Sequence, residues 1–388
     1  MGEQTAVRDL GVYIHWPFCE AICPYCDFNV RRARHVDHAV WLAAFRRAIL
    51  AWRGVLDGRR VESIFFGGGT PSLMPPATVA GILDALADVW VIAADVEITL
   101  EANPTSVEAA RFRDFAQAGV NRLSVGIQAL DDDALDRLGR RHTAREACDA
   151  LSIAQDVCPR VSFDLIYGRP HQSLTAWKAE LDRALRLGGD HCSLYQLTIE
   201  DGTPFARQRK RGRLPGLPDD NRSAEFYDLT GTVCDAHGLS RYEVSNYARD
   251  GDQSRHNRIY WTAGDWIGIG PGAHGRLTIN DRRVGTIEES VPGDWLEQAG
   301  SPVLTDDRTE HLTREEAAEE VLFSGLRLKE GLSIAALERW GYEMPADRLA
   351  HLLSDGLLRR DGGQIRTTAA GTVLIDAIVA DLVPLHSL

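Results

Sequence analysis

No stretch of this chain reaches about 18 consecutive apolar residues, so a membrane-spanning helix is not expected. Residues Met1–Leu10 lack the apolar core of a targeting peptide, which points to a cytoplasmic location and leaves peripheral membrane contact open. Basic charge is in short supply: 43 basic against 56 acidic residues leave a formal net charge of -13. That balance argues against a largely electrostatic grip on nucleic acid, and no nucleic-acid partner is expected. Paired cysteine spacing is missing as well. Of the seven cysteines, Cys148, Cys158, Cys192 and Cys234 are scattered through helix-like or strand-like runs, which suits a reducing compartment. What remains is 388 residues with 44% hydrophobic side chains, enough for one large domain and a smaller one.

The other three cysteines, Cys19, Cys23 and Cys26, follow a short apolar strand over Val12–His15. This spacing lets one loop present three thiolates to a small metal centre. A structural zinc site would want a fourth protein ligand. A [4Fe–4S] cluster on three cysteines instead leaves one iron open to an exchangeable group. Phe28 cannot supply a fourth ligand, and Asp27 and His35 would need help from the fold. Buried structural cysteines or a zinc knuckle are the plainer alternatives.

Strand-like and helix-like runs alternate from Val12 to Ile199, six times in all, which predicts parallel strands joined by crossover helices. Polar residues gather at one end of those strands: the cysteine loop, Gly67–Gly69, Glu101, Gln128 and Asp164. Barrel folds place their chemistry at the C-terminal strand ends. A helix is predicted over 105–118, and another over 131–157 with a break near Gly139. Arg207–Arg213 reads as a solvated basic loop. Gly268–His274 combines small and stiff residues, as expected where backbone runs close to a ligand or another segment. A composition shift over 280–312 suggests a boundary between domains at 8–290 and 310–388. Thr313 and Glu316 have the spacing of a capping box. Residues 333–383 have a winged-helix-like outline, with a turn at Asp361–Gly363 and only Arg359 and Arg360 as basic candidates for a recognition face.

The stretch Tyr13-x-His15-x-Pro17-Phe18-Cys19-x-x-x-Cys23-x-Tyr25-Cys26-x-Phe28 resembles the radical S-adenosylmethionine (SAM) family. Within it, the likeness is to the branch containing oxygen-independent coproporphyrinogen III dehydrogenase and related haem chaperones, and it covers nearly the whole chain. The resemblance implies an α/β fold, a partial (β/α)6 radical-SAM barrel followed by a smaller, mainly helical, winged-helix-like domain. It also implies a [4Fe–4S] cluster on Cys19, Cys23 and Cys26, with SAM beside it. Gly67, Gly68, Gly69 and Thr70 match the family's glycine motif, whose carbonyls would approach the SAM ammonium group. Glu101, Gln128, Arg140 and Asp164 match SAM-contacting positions, and Tyr13 and Tyr25 match residues lining that pocket. Read from the residues alone, the glycines could be a bare turn and the charged residues ordinary ion pairs.

Coproporphyrinogen dehydrogenases carry a fourth cysteine where this chain has Phe28. Cys26-Asp27-Phe28 instead resembles the HemW haem chaperones, as does His256-Asn257-x-x-Tyr260-Trp261, which is similar to a haem-associated motif of that group. The resemblance favours His256 as the haem-associated histidine, with His274 second, while structural histidines remain the alternative. It implies a chaperone that binds the cluster, SAM and haem and delivers haem to respiratory proteins. A reductant or electron-donor protein is implied as a partner, and a homodimer is left open. The other function in the branch is radical decarboxylation of coproporphyrinogen III propionates to vinyl groups.

Overall fold

This computed structural model describes residues 9–33, 35–305 and 307–383; Met1–Arg8, within the stretch expected to lack a targeting core, lie outside them. Among the described residues no helix is long and apolar enough to cross a membrane. Alternation in Asp9–Trp16 (β1) buries Leu10, Val12, Ile14 and Trp16 on one face. Against that face lies His38–Leu50 (α1), whose Trp41, Phe45 and Ile49 recur at helical spacing. Asp37 starts α1 by accepting the N–H groups of Ala39 and Val40.

The arrangement repeats through Arg60–Gly68 (β2), Pro76–Ala87 (α2), Val91–Ala102 (β3), Arg122–Gln128 (β4), Ala144–Val157 (α3), Arg160–Tyr167 (β5), Leu174–Arg186 (α4) and His191–Gln196 (β6). Strands β1 to β6 pair in parallel in chain order, and one cavity is lined from the ends of β2 to β6. This is the partial barrel anticipated from the strand–helix alternation. One helix differs in detail from expectation: the segment 105–118 is divided into Ser106–Ala109 and Phe112–Gln117. The segment 131–157 is interrupted at Gly139, as expected, where φ is +70°.

Only part of the basic stretch is helical: Arg211–Arg213 lies outside any helix and is exposed, as a solvated loop would be. Pro204–Lys210 (α5) is a helix, capped by the Thr203 hydroxyl, with Phe205 and Ala206 turned inward and the arginines outward. Asp220–Ala236 (α6) follows, and Asn246–Ala248 (β7) pairs antiparallel with β6. Arg255–Trp261 (α7) closes one end of the barrel, where the backbone N–H of His256 donates to Glu97 at 3.2 Å. Burial alone would raise the Glu97 pKa, but Arg122 and Arg160 overcome it and hold the carboxylate low.

On the far side of β1 the sheet continues with Trp266–Ile269 (β8, parallel). Beyond it lie three antiparallel strands, His274–Ile279 (β9), Arg282–Ile287 (β10) and Thr309–His311 (β11). The glycine-rich stretch before β9 packs on the chain itself. A Cβ on Gly270 would lie 2.3 Å from the carbonyl oxygen of His15, and one on Gly272 would lie 2.6 Å from Asn29.

A second apolar core contains Ala317, Leu322, Leu326, Leu337, Ile365 and Leu382. It is built from Arg314–Gly325 (α8), Ala346–Ser354 (α9), Ile375–Leu382 (α10) and a three-stranded sheet of Leu332–Ser333, Gln364–Thr367 and Leu358–Asp361. The capping box of Thr313 and Glu316 is present, and the strand pair turns at Asp361–Gln364, as a winged-helix outline requires.

Candidate functional site

The C-terminal ends of the barrel strands surround a cavity of about 590 Å³. Cys19, Cys23 and Cys26 line one side of it, and all three are free and partly exposed. Their loop is held by local bonds. The N–H of Cys26 donates to the carbonyl of Cys23 at 3.2 Å, and Phe18–Cys19 pairs with Arg31–Arg32. Further support comes from α5, where the Phe205 N–H donates to the Pro24 carbonyl at 2.9 Å. Burial, followed by the nearby Cys23 and Cys19 sulfurs, pushes the Cys26 thiol up to about 11. Burial also raises Cys19, against a hydrogen bond from Thr70 and the charge of Arg140. Thiols crowded in this way would be relieved by a cationic centre that takes them as thiolates. Among the described residues no three His, Cys, Asp or Glu side chains form a group able to hold a single metal ion. Three thiols on one loop suit a cluster that keeps one position open, as three cysteines leave one iron without a protein ligand.

Opposite the thiols stand two carboxylates, Glu101 from β3 and Asp164 from β5. Burial, then the charge of Asp164, pushes Glu101 up to about 8, although the Gly68 N–H and Arg122 pull it down. Burial likewise raises Asp164 to about 6, against hydrogen bonds from Ser193 and Ser124. Neither carboxylate has an ion-pair partner among the described residues, and both face the cavity. They are acceptors suited to hydroxyl or ammonium donors of a bound molecule.

Arg140 spans the floor. It donates to the Cys23 sulfur at 3.6 Å, to Asn103 Oδ1 at 2.6 Å and to the Gly126 carbonyl at 2.9 Å. Desolvation would lower its pKa, but Tyr25 and Cys23 more than offset that, so it stays charged. Gln128 ends β4 with φ +68°, a conformation rare outside glycine, and it lines the cavity beside Gly126. Tyr25, Gly68, Gly69 and Thr70 also line it.

Three expected site residues stand elsewhere. Tyr13 lies behind the glycine loop, with its hydroxyl 3.1 Å from His15 Nδ1, and Gly67 packs on the Tyr13 ring, where a Cβ would come within 2.8 Å. Neither lines the cavity. His256 is 1% exposed, and both its ring nitrogens are engaged, with Ser63 Oγ at 2.9 Å and the Tyr260 hydroxyl at 2.7 Å. Burial drives its pKa down to about 3, so it is a neutral, fully hydrogen-bonded interior histidine. The glycine triplet has an intrachain reason too, since a Cβ on Gly69 would meet the Phe18 carbonyl oxygen at 2.6 Å.

The structure adds residues that the sequence reading did not select. Asn103 joins Arg140 to Thr70 and to the buried Glu108, and Ser193 supports Asp164. Asn103 lies in the Glu101-x-Asn103-Pro104 stretch. The only signal for Ser193 is its place in β6, opposite Asp164 in the strand register.

Comparison with known proteins agrees with this geometry. The Radical SAM superfamily model matches residues 13–207, and the HemN C-terminal domain model matches residues 312–374. A mitochondrial Radical S-adenosyl methionine domain-containing protein 1 from Bos taurus is 41% identical over 98% of this chain and 88% of its own. Heme chaperone HemW from Mycobacterium tuberculosis is 37% identical over 97% and 95%, and that from Escherichia coli is 42% identical over 71% and 72%. The structure of Escherichia coli coproporphyrinogen III oxidase (HemN), a radical SAM enzyme, superposes with a TM-score of 0.81 at 24% identity, covering 99% of this chain and 94% of that one. That likeness speaks to the fold alone. With its cavity of three thiols and two carboxylates, the chain belongs to the radical SAM superfamily, in the HemN-like branch close to the HemW haem chaperones.

Proposed function

We propose that this protein is a cytoplasmic haem chaperone that holds a [4Fe–4S] cluster and SAM in the barrel cavity, binds haem and delivers it to respiratory proteins. The observation that carries the reading is the meeting of Cys19, Cys23 and Cys26 with Glu101, Gln128, Arg140 and Asp164 around one cavity. When bound, a cluster with one open iron supplies an electron and a docking point for the methionine end of SAM. The chain's own residues do the rest. The three cysteines give up their protons to serve as thiolates, and Arg140 beside Cys23 offsets the negative charge that gathers there. Glu101 and Asp164 would accept hydrogen bonds from the cofactor, and the barrel wall would keep those bonds poorly screened by water.

Phe28 is 61% exposed at the position where the dehydrogenases carry their fourth cysteine, which favours the chaperone over propionate decarboxylation. A low-potential electron donor and haem-accepting respiratory proteins are the partners this function requires. The test is mass spectrometry of an anaerobic mixture of reconstituted protein, SAM, a strong reductant and coproporphyrinogen III. The chaperone reading expects unchanged tetrapyrrole, with 5′-deoxyadenosine showing that the cluster is competent. Time-dependent loss of carboxyl groups would overturn it in favour of the dehydrogenase.

A further inference from the structure

The basic run on α5 takes no part in the barrel cavity, yet it lies against the outer face of the cysteine loop. Arg207, Arg209, Lys210, Arg211 and Arg213 are all exposed, a local concentration of positive charge in a chain whose net charge is -13. Lys210 pairs with Asp201 at 2.9 Å and Arg207 donates to the Gly202 carbonyl at 2.7 Å. Among the described residues, Arg209, Arg211 and Arg213 have no side-chain hydrogen bond or ion pair. The helix is tied to the loop by the Phe205 N–H, 2.9 Å from the Pro24 carbonyl, and by the Phe205 ring, 6.5 Å from that of Tyr25. The turn at Gly139 meets the same proline, since a Cβ there would lie 2.7 Å from Pro24 Cδ. Pro24, Phe205, Arg137 and Arg213 line one groove of about 1100 Å³. Cys23, Tyr25 and Cys26 face the barrel cavity instead, so the cysteine loop is the wall between groove and cavity. Of the acids lining the groove, Glu180 is paired with Arg169 and Asp131 caps a helix through the Ala134 N–H, which leaves Asp136 against Arg137 and Arg213.

We propose that this basic face is the docking surface for an acidic electron-carrier protein, which seats over the groove and passes one electron across the cysteine loop to the cluster. The inference rests on the cluster reading above and adds the chemistry and the place of the partner. The carrier is oxidised by one electron and the cluster is reduced by one, from 2+ to 1+, with no bond made or broken and no proton moved. With SAM in the barrel cavity the inner side of the loop is taken, and the outer side is the remaining approach. Pro24 is the neighbour of Cys23 and stands two positions from Cys26, so a protein seated on it reaches the cluster ligands through a few bonds. Unpaired surface guanidinium groups steer an acidic protein and speed encounter, and small, weak interfaces are normal for electron-transfer partners. The negative charge of the rest of the chain repels the same partner elsewhere, so this face also fixes where it lands. Arg207–Arg213 contains no aromatic residue on which a base could stack, which disfavours a nucleic acid as the occupant.

The test is calorimetric titration of the anaerobically reconstituted full chain with an acidic flavodoxin as the probe carrier, at low and at high salt. Three proteins are compared: the natural one, Arg209→Glu with Arg211→Glu, and Arg359→Glu with Arg360→Glu, a control of equal charge change on exposed residues of the C-terminal unit. Cluster reduction by reduced flavodoxin is followed in each by electron paramagnetic resonance, beside reduction by dithionite, which needs no docking. SAM affinity is the control on folding. The expected result for Arg209→Glu with Arg211→Glu at low salt is about tenfold or more weaker flavodoxin binding and slower cluster reduction by it. The difference vanishes at high salt, dithionite reduction and SAM affinity are unchanged, and the control stays near the natural protein. If the Arg209 and Arg211 changes leave flavodoxin affinity as it was, or both double variants weaken it equally, the surface is overturned. It is also overturned if SAM affinity falls with them, because α5 then acts structurally. If the natural protein does not bind flavodoxin while dithionite reduces its cluster, the surface fails and the cluster reading stands. A single-stranded oligonucleotide that binds more tightly than flavodoxin, and loses affinity in the same variant, would overturn the inference in favour of a nucleic-acid patch. If dithionite produces no cluster signal, the cluster reading fails and this surface with it.

Discussion

Glu101 faces the cavity, and burial there sets its protonation state. Its folded pKa is about 8, against an ordinary value of 4.5. Below about pH 4.5 the group is protonated in folded and unfolded chains alike. Between there and about pH 8 the folded chain keeps a proton that the unfolded chain releases, so stability falls as pH rises. The slope attributable to this one group is at most about 1.4 kcal/mol per pH unit. Thermal unfolding of the ligand-free chain between pH 5.5 and 7.5 is therefore expected to be less pH-dependent for Glu101→Gln than for the natural protein. Equal slopes would show that Glu101 is ionised and solvated in the empty cavity. The motif Glu101-x-Asn103-Pro104 was legible in the sequence, but the shift was not, because it comes from burial in the folded barrel and then from Asp164, sixty-three positions away.

At the level of elements, the loop from β2 to α2 is shaped by what it presses against. The Gly69 N–H donates to the Trp16 carbonyl at 2.6 Å, and the Thr70 N–H donates to the Phe18 carbonyl at 2.9 Å. A methyl group on Gly69 has no room beside the Phe18 backbone, and Phe18 precedes the first cluster cysteine. Gly69→Ala is expected to destabilise the protein by about 1–3 kcal/mol through overpacking. It should also lower the iron and sulfide bound per chain after reconstitution. Full iron content in that variant would mean that the cysteine loop does not depend on this contact. From the sequence the triplet is either a SAM-approaching family motif or a bare turn, and the pairing of β1 with β2 is what sets the chain itself against it. The first half of the basic stretch, Arg207–Lys210, is helix where a loop is expected, for a related reason. Its outward arginines dominate the composition, while the inward Phe205 and Ala206 and the Thr203 cap make the helix.

On the scale of the whole molecule, the unit built on the second apolar core docks beside the sheet along the cleft lined by His274 and Val379. The main joint includes the Lys329 N–H bonded to the Tyr242 carbonyl at 3.0 Å, and ion pairs from Glu320 to both Arg276 and Arg283. Leu322 is fully buried in the second core on α8. Leu322→Ala should cost about 2–5 kcal/mol there, because a cavity is left where packed atoms stood. Calorimetric binding of SAM is expected to stay near the natural value in this variant, since the second core contributes no residue to the lining of the barrel cavity. Loss of SAM binding would mean that the two cores unfold as one.

By itself the sequence determined what is local. Three cysteines within eight positions share one loop whatever surrounds them, and alternation at periods of 2 and 3.6 residues specifies strands, helices and their buried faces. The order of parallel strands follows as well, because each helical crossover returns the chain to the neighbouring position. The tertiary structure alone decided which polar residues meet. Curling of the sheet brings Glu101, Gln128 and Asp164 to the thiols, and it leaves Tyr13 and Gly67 behind the wall. The two histidines were ranked by motif, and packing reversed their availability: Ser63 and Tyr260 occupy both nitrogens of His256, whereas His274 opens onto a cleft that exists only where the second core docks. Burial and hydrogen-bond partners come from chain segments distant in sequence, so no local pattern could assign them.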